Sequence, residues 1–203
     1  MQARPTPFPR SALAAVILAG GRGLRMGGRN KGWIPYHGRP LIEHVVERLQ
    51  PQAGALAIST NTHIDRYRRL GFPCVSDRHA DYRGPLAGVA AALAAFPGRM
   101  LLCAPVDAPH LPSDLGARLG GALKQSHAPA AVAHDGERLQ PLFALLRPSL
   151  APRLQEDLAH GPLAAGRWLH DAGACSVDFS DQPQAFANIN TPADLGGRAE
   201  TRS

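Results

Sequence analysis

Short apolar runs over residues 14–18, 55–60, 99–104 and 130–134 alternate with longer segments of helical period over 41–49, 64–70, 86–96 and 115–123. Runs this short, bounded by glycine, proline or small polar residues, suit strands covered on both faces better than helices. Each intervening segment carries one apolar stripe, as a helix packed on a sheet requires. The alternation predicts an α/β fold: a mostly parallel sheet with helices on both faces, Rossmann-like, in three α/β/α layers. A shorter extended piece over 72–76 fits the same scheme. Beyond Gln140 the pattern continues as a strand over 142–146, helices over 148–158 and 163–172, and an extended piece over 175–179. With no repeat or low-complexity linker, residues 13–196 read as a single domain, between a flexible leader over 1–12 that carries Pro5, Pro7 and Pro9 and a flexible tail over 197–203.

A chain of 203 residues can bury a core without disulfides or a structural metal. Cys74, Cys103 and Cys175 are far apart, odd in number and without C-x-x-C spacing, which argues against a disulfide framework or an ordinary zinc site and fits a reducing cytoplasm. The formal charge of +6 comes almost wholly from arginine, since Lys31 and Lys124 are the only lysines. Those arginines are spread along the chain and aromatics make up only 5%, so neither a basic run nor a stacking platform for nucleic acid is present. Small anionic ligands fit better. The apolar stretch over 11–20 imitates the core of an export signal, but it is too short to span a bilayer and reads as a buried strand.

The stretch LAGGRGLRMGGRNK, residues 18–31, follows the first predicted strand directly. Its glycines let backbone N–H groups turn toward a ligand, while Arg22, Arg25 and Lys31 supply positive charge, the chemistry of a phosphate cradle. The P-loop spacing cannot be drawn, and Met26 stands where a dinucleotide fingerprint needs its last glycine. Kinase and dehydrogenase readings both lose weight. In an open α/β sheet the ligand belongs beyond the carboxyl ends of the strands. The first half of the domain is therefore expected to bind a nucleotide, and the second half to complete a neighbouring pocket.

This loop resembles the signature of nucleotidyltransferases that activate sugars and cofactors. Together with GRPL at 38–41, DYRGPLAG at 81–88, CAPVD at 103–107, HDGER at 134–138, VDFSD at 177–181 and NINTP at 188–192, it makes the chain similar to the molybdenum cofactor guanylyltransferase family from about residue 14 to 195. The resemblance implies transfer of GMP from GTP to molybdopterin or its molybdenum form, with release of pyrophosphate and with Mg²⁺ as cofactor. Molybdoenzyme apoproteins and delivery chaperones are the implied downstream partners. Rival readings are a cytidylyl or sugar-phosphate transferase of the same fold and a non-catalytic cofactor-delivery protein.

The same resemblance assigns residues. Lys31, Arg25 and Asp107 become catalytic, with Asp107 also the magnesium ligand; Leu18, Ala19, Gly20, Gly21, Lys31, Ser59, Asn61, Asp77 and Asp107 bind GTP; Asn188, Asn190, Asp135, Arg138 and Gln140, with Gly136, form the acceptor side. The chain departs from the family pattern at Ser59, where asparagine is usual, and at Asn30, where aspartate commonly precedes the lysine. Ordinary structural readings stand beside these: Asp107 as cap of the following turn, Asp77 as a turn former, and Thr191, Pro192 and Asp194 as a helix start.

Overall fold

The computed structural model describes residues 7–20, 30–77 and 83–189. Its strands are β1 (Leu13–Leu18), β2 (Pro35–Tyr36), β3 (Arg39–Pro40), β4 (Ala55–Ser59), β5 (Cys74–Val75), β6 (Met100–Pro105), β7 (Ala130–His134), β8 (Leu139–Leu146) and β9 (Cys175–Asp178). The helices are α1 (Leu41–Leu49), α2 (Ile64–Arg68), α3 (Pro85–Ala95), α4 (Leu115–Gln125), α5 (Ala151–Ala159) and α6 (Ala165–Asp171). Seven strands form one sheet in the order β5-β4-β1-β6-β8-β7-β9, and β2 pairs with β3 in a separate hairpin. Only β8 runs against its sheet neighbours. The mostly parallel, helix-covered sheet expected from the alternation is the architecture observed.

Every residue of β1 is buried, because parallel central strands are covered on both sides. Leu13, Ala15 and Ile17 face the layer holding Ile42, Val45 and Leu49 of α1 with Leu115, Leu119 and Leu123 of α4. Ala14, Val16 and Leu18 face the opposite layer, built from α3, α5 and α6. The apolar stretch that imitated an export signal is this strand, and no helix among the described residues is long and apolar enough to cross a membrane.

Two local differences from the sequence reading have physical causes. β8 starts at Leu139 rather than at 142, and its pairing with β7 jumps from Val132↔Ala144 to Ala133↔Gln140, so residues 141–143 bulge out of register. Pro141 has no N–H to donate, which makes that stretch a poor ladder and a natural bulge. Residues 7–12, read as part of a loose leader, are tied down: Phe8 and Ala12 pack on the core, and the Arg10 guanidinium donates to the carbonyls of Gln50 at 3.0 Å and Ala53 at 2.9 Å.

One buried amide joins α1 to α4 within their shared layer. Gln52 is 5% exposed, and its Nε2 donates to the carbonyls of Arg48 at 2.8 Å and Pro112 at 2.9 Å. Its Oε1 accepts from the Gly116 N–H at 2.8 Å. Asp114 does not cap α4 with its side chain, so Gln52 supplies a partner for an N–H that the first helical turn leaves orphaned. Gln52→Ala should lower stability by about 2–3 kcal/mol, because it strands buried donors and acceptors at once; denaturant unfolding measures the change, and a loss below about 0.5 kcal/mol would refute this role for the amide.

Candidate active site at the carboxyl edge

The chain runs from β1 to β4 and β5 on one side, then returns to place β6 on the other side of β1. This reversal opens a crevice beyond the carboxyl end of β1, where ligands of open α/β sheets bind. Leu18 stands in register with Ser59 on one side and Pro105 on the other. The strands stay joined past their ends: Ala19 N–H donates to the Ser59 carbonyl at 2.9 Å and Val106 N–H to the Leu18 carbonyl at 3.2 Å.

A hollow of about 150 Å³ opens here, lined by Leu18, Ala19, Gly20, Lys31, Pro85 and Asp107 among others. Leu18, Gly20 and Pro85 also wall a smaller neighbouring hollow lined by Ser59, Asn61, Asp77 and Gly88. Of the expected nucleotide residues, all that fall within the described chain therefore border one of two adjoining hollows. Gly21 and Arg25 lie outside the described residues.

Lys31 begins a single 3₁₀ turn over Lys31–Trp33, whose cap is Asn30: its Oδ1 accepts from the Gly32 N–H at 3.1 Å. Asp107 follows Val106 just past β6. Lys31 Nζ meets Asp107 Oδ2 at 2.8 Å, with side chains 27% and 13% exposed. Partial burial weakens water's competition for the pair without removing it. Above the crevice, Gly84 (φ 81°) turns the chain into α3 with Pro85 in its first turn. A helix start here directs N–H groups and the positive end of the helix dipole toward the edge.

On the β4 side, Asn61 also has a structural partner. The Asn61 Oδ1 accepts from the Asp77 N–H at 2.9 Å, so this amide ties the loop carrying Asp77 to the end of β4. Ser59 is buried beneath Gly88, where a Cβ would collide with the Ser59 Oγ and lie 3.3 Å from Leu18 Cδ2. Gly88 is thus what lets α3 rest on the strand ends.

The acceptor residues divide. Ile189 N–H donates to the Asp107 carbonyl at 2.8 Å, and its side chain packs with Ile34, Tyr36 and Leu41. This backbone bond brings exposed Asn188 to the same edge; Asn190 lies outside the described residues. β7 is antiparallel to β8 and β8 to β6, so the 135–138 turn also opens on the carboxyl edge. Within it, Asp135 Oδ1 accepts from the N–H groups of Glu137 at 2.9 Å and Arg138 at 2.8 Å, and Oδ2 accepts from Gln140 Nε2 at 2.5 Å. The slight burial of Asp135 opposes its ionisation but is outweighed by these donors, so the carboxyl sits below its ordinary range. Asp135 and Gln140 hold each other and the turn, with Gly136 at φ 102° supplying the bend; Arg138 is exposed.

Leu142 escaped the sequence reading, as did the bond from the Ile189 N–H to the Asp107 carbonyl. An apolar side chain on a strand and a backbone group carry no signal of their own, and only the fold brings them to this edge.

A family model described as the MobA-like NTP transferase domain matches residues 15–174. A molybdenum cofactor guanylyltransferase of Pasteurella multocida is 44% identical over 182 residues, covering 90% of this chain and 96% of the relative. Another, of Shewanella halifaxensis, is 44% identical over 178 residues, covering 88% and 89%. Among solved structures, the molybdopterin-guanine dinucleotide biosynthesis protein A of Archaeoglobus fulgidus superposes with a TM-score of 0.74 at 24% identity, covering 91% of this chain and 95% of that one. A 4-diphosphocytidyl-2C-methyl-D-erythritol synthase of Anaerococcus prevotii superposes at 0.69 with 14% identity, covering 91% and 93%. Both structural likenesses speak to the fold. On the family match and the 44% identities over nearly the whole length of both sequences, the chain is a nucleotidyltransferase of the MobA-like NTP transferase family and belongs with the molybdenum cofactor guanylyltransferases.

Proposed function

We propose that this enzyme takes GTP and molybdopterin, or its molybdenum form, as substrates and joins GMP to the acceptor's terminal phosphate. An acceptor phosphate oxygen forms a bond to the α-phosphorus, the bond from that phosphorus to the bridging oxygen of the β-phosphate breaks, and pyrophosphate leaves with its electron pair. The acceptor is already an anion at neutral pH, so no protein nucleophile or base is required. The remaining task is alignment and charge neutralisation.

The observation that carries this reading is the Lys31–Asp107 pair, which lines the same hollow as Leu18, Ala19 and Gly20. Lys31 supplies a compact positive charge for the triphosphate, and Leu18, Ala19 and Gly20 bring backbone close to it. Asp107 is the residue that would hold Mg²⁺. Among the described residues no group of three or more metal-ligating side chains exists, which fits a cation bound by one carboxylate, phosphate oxygens and water rather than by a protein cage. When bound, Mg²⁺ supplies screening of the charge on the phosphates. The smaller hollow bordered by Ser59 and Asp77 would take the guanine nucleoside, Asn61 fixes the Asp77 loop, and Asn188 with Arg138 would face the acceptor. Cys74, Cys103 and Cys175 are free thiols, which suits a reducing cytoplasm.

Lys31→Ala should lower guanylyl transfer about 100-fold or more while the melting temperature stays within a few degrees; near wild-type turnover would remove Lys31 from the mechanism. Asp107→Asn should weaken the dependence on Mg²⁺ and depress turnover comparably, as read from magnesium titrations of pyrophosphate release. Offered ATP, CTP, GTP and UTP with molybdopterin, the enzyme should use GTP, and a preference for CTP would reassign it within the fold.

A further inference from the structure

We propose that Tyr67, which borders neither hollow, is a positioning residue that sets Lys31 opposite Asp107 by anchoring Asn30. The catalytic consequence rests on the guanylyl-transfer reading above; the geometry does not.

The Lys31–Trp33 segment is a single 3₁₀ turn. So short a helix has almost no stability of its own, and neighbouring contacts must decide where it sits. Three such contacts come from α2. Tyr67 is fully buried, and its hydroxyl donates to Asn30 Oδ1 at 2.5 Å. The same oxygen accepts from the Gly32 N–H at 3.1 Å, so Tyr67, Asn30 and Gly32 enclose the Lys31 backbone. The Tyr67 ring lies 5.1 Å from the Trp33 ring, and the Arg66 guanidinium sits 4.0 Å from the Trp33 ring centroid.

Gly32 shows how tightly the turn is held. A Cβ there would run into the Tyr67 hydroxyl and lie 3.1 Å from Val106 Cγ2. The backbone after Lys31 is therefore pinched between Tyr67 and the residue preceding Asp107. Filling the core needs only the aromatic ring, whereas burying the hydroxyl costs free energy unless it is hydrogen-bonded. Burial also pushes Tyr67 ionisation well above its ordinary value, so the hydroxyl remains a donor throughout the working pH range. The hydroxyl is thus explained by what it holds. Displacing a catalytic ammonium by even ~1 Å is enough to cost up to about 100-fold in rate.

The test compares Tyr67→Phe, Asn30→Ala and Lys31→Ala, singly and in pairs, in guanylyl transfer with GTP, Mg²⁺ and molybdopterin. Tyr67→Phe is expected to lower kcat about tenfold with KM for GTP changed less than about threefold. That loss should disappear in the Lys31→Ala and Asn30→Ala backgrounds, because the hydroxyl acts through those residues. An equal fractional loss in all backgrounds, or none in the wild type, overturns the proposal. A second reading is independent of catalysis. In the ¹H–¹⁵N spectrum of the free protein, Tyr67→Phe should shift the Lys31, Gly32 and Asp107 amides, whereas shifts confined to α2 overturn the proposal. A wild type inert with every triphosphate and acceptor would count against guanylyl transfer, and the spectrum alone would then decide the role of Tyr67.

Discussion

Lys31 and Asp107 are 76 residues apart, yet their charged ends meet at 2.8 Å. Two charges brought partly out of water each carry a desolvation cost that only a close opposite charge offsets, so the contact demands accurate placement of both backbones. That demand runs through the fold. Asp107 is placed by β6, which pairs with β1 along its whole length. Lys31 sits on a turn with no sheet partner, held by a cap and by packing from α2. A rigid strand end thus faces a lysine whose location is assembled from side chains.

Other parts of the site follow the same logic. Regular strands set the direction of the edge, and polar side chains tie the irregular segments to it. Asn61 fastens the Asp77 loop to β4, Gln52 fastens α4 to the end of α1, and Asp135 closes the turn between β7 and β8. Arg118 does this for β9: it lies 3.9 Å over the Phe179 ring and bonds Asp181 at 2.9 Å. Asn61, Gln52 and Asp135 each accept from backbone N–H groups that no helix or sheet bond satisfies, at the loops and helix start they join.

The strands and helices were legible because burial on both faces forces unbroken apolar runs, as in β1, and burial on one face forces a helical stripe, as in α1 with Leu41, Ile42, Val45 and Leu49. Gly20, Lys31 and Asp107 stood out as candidates because few structural roles call for a glycine-rich basic loop after one strand and an aspartate after another, and they line one hollow. The purposes of Asn61, Asp135 and Gln140 were less so. An amide or carboxylate near a strand end suits a ligand and a loop equally well, and only the tertiary structure shows Asn61 bonded to the Asp77 backbone and Asp135 bonded to Gln140. Tyr67 lay hidden among the apolar residues of a short helix, since nothing in a sequence reveals that a buried hydroxyl reaches an amide 37 positions away.

What the amino-acid order determined by itself is the layered α/β class and the burial of its opening strand. These are consequences of local periodicity, which neighbouring residues suffice to express. Tertiary structure decided the strand order, the antiparallel insertion of β8 with its bulge at Pro141, the docking of residues 7–12, and the meeting of Lys31 with Asp107. Those depend on contacts between distant segments, whose free energy arises only when the chain closes on itself.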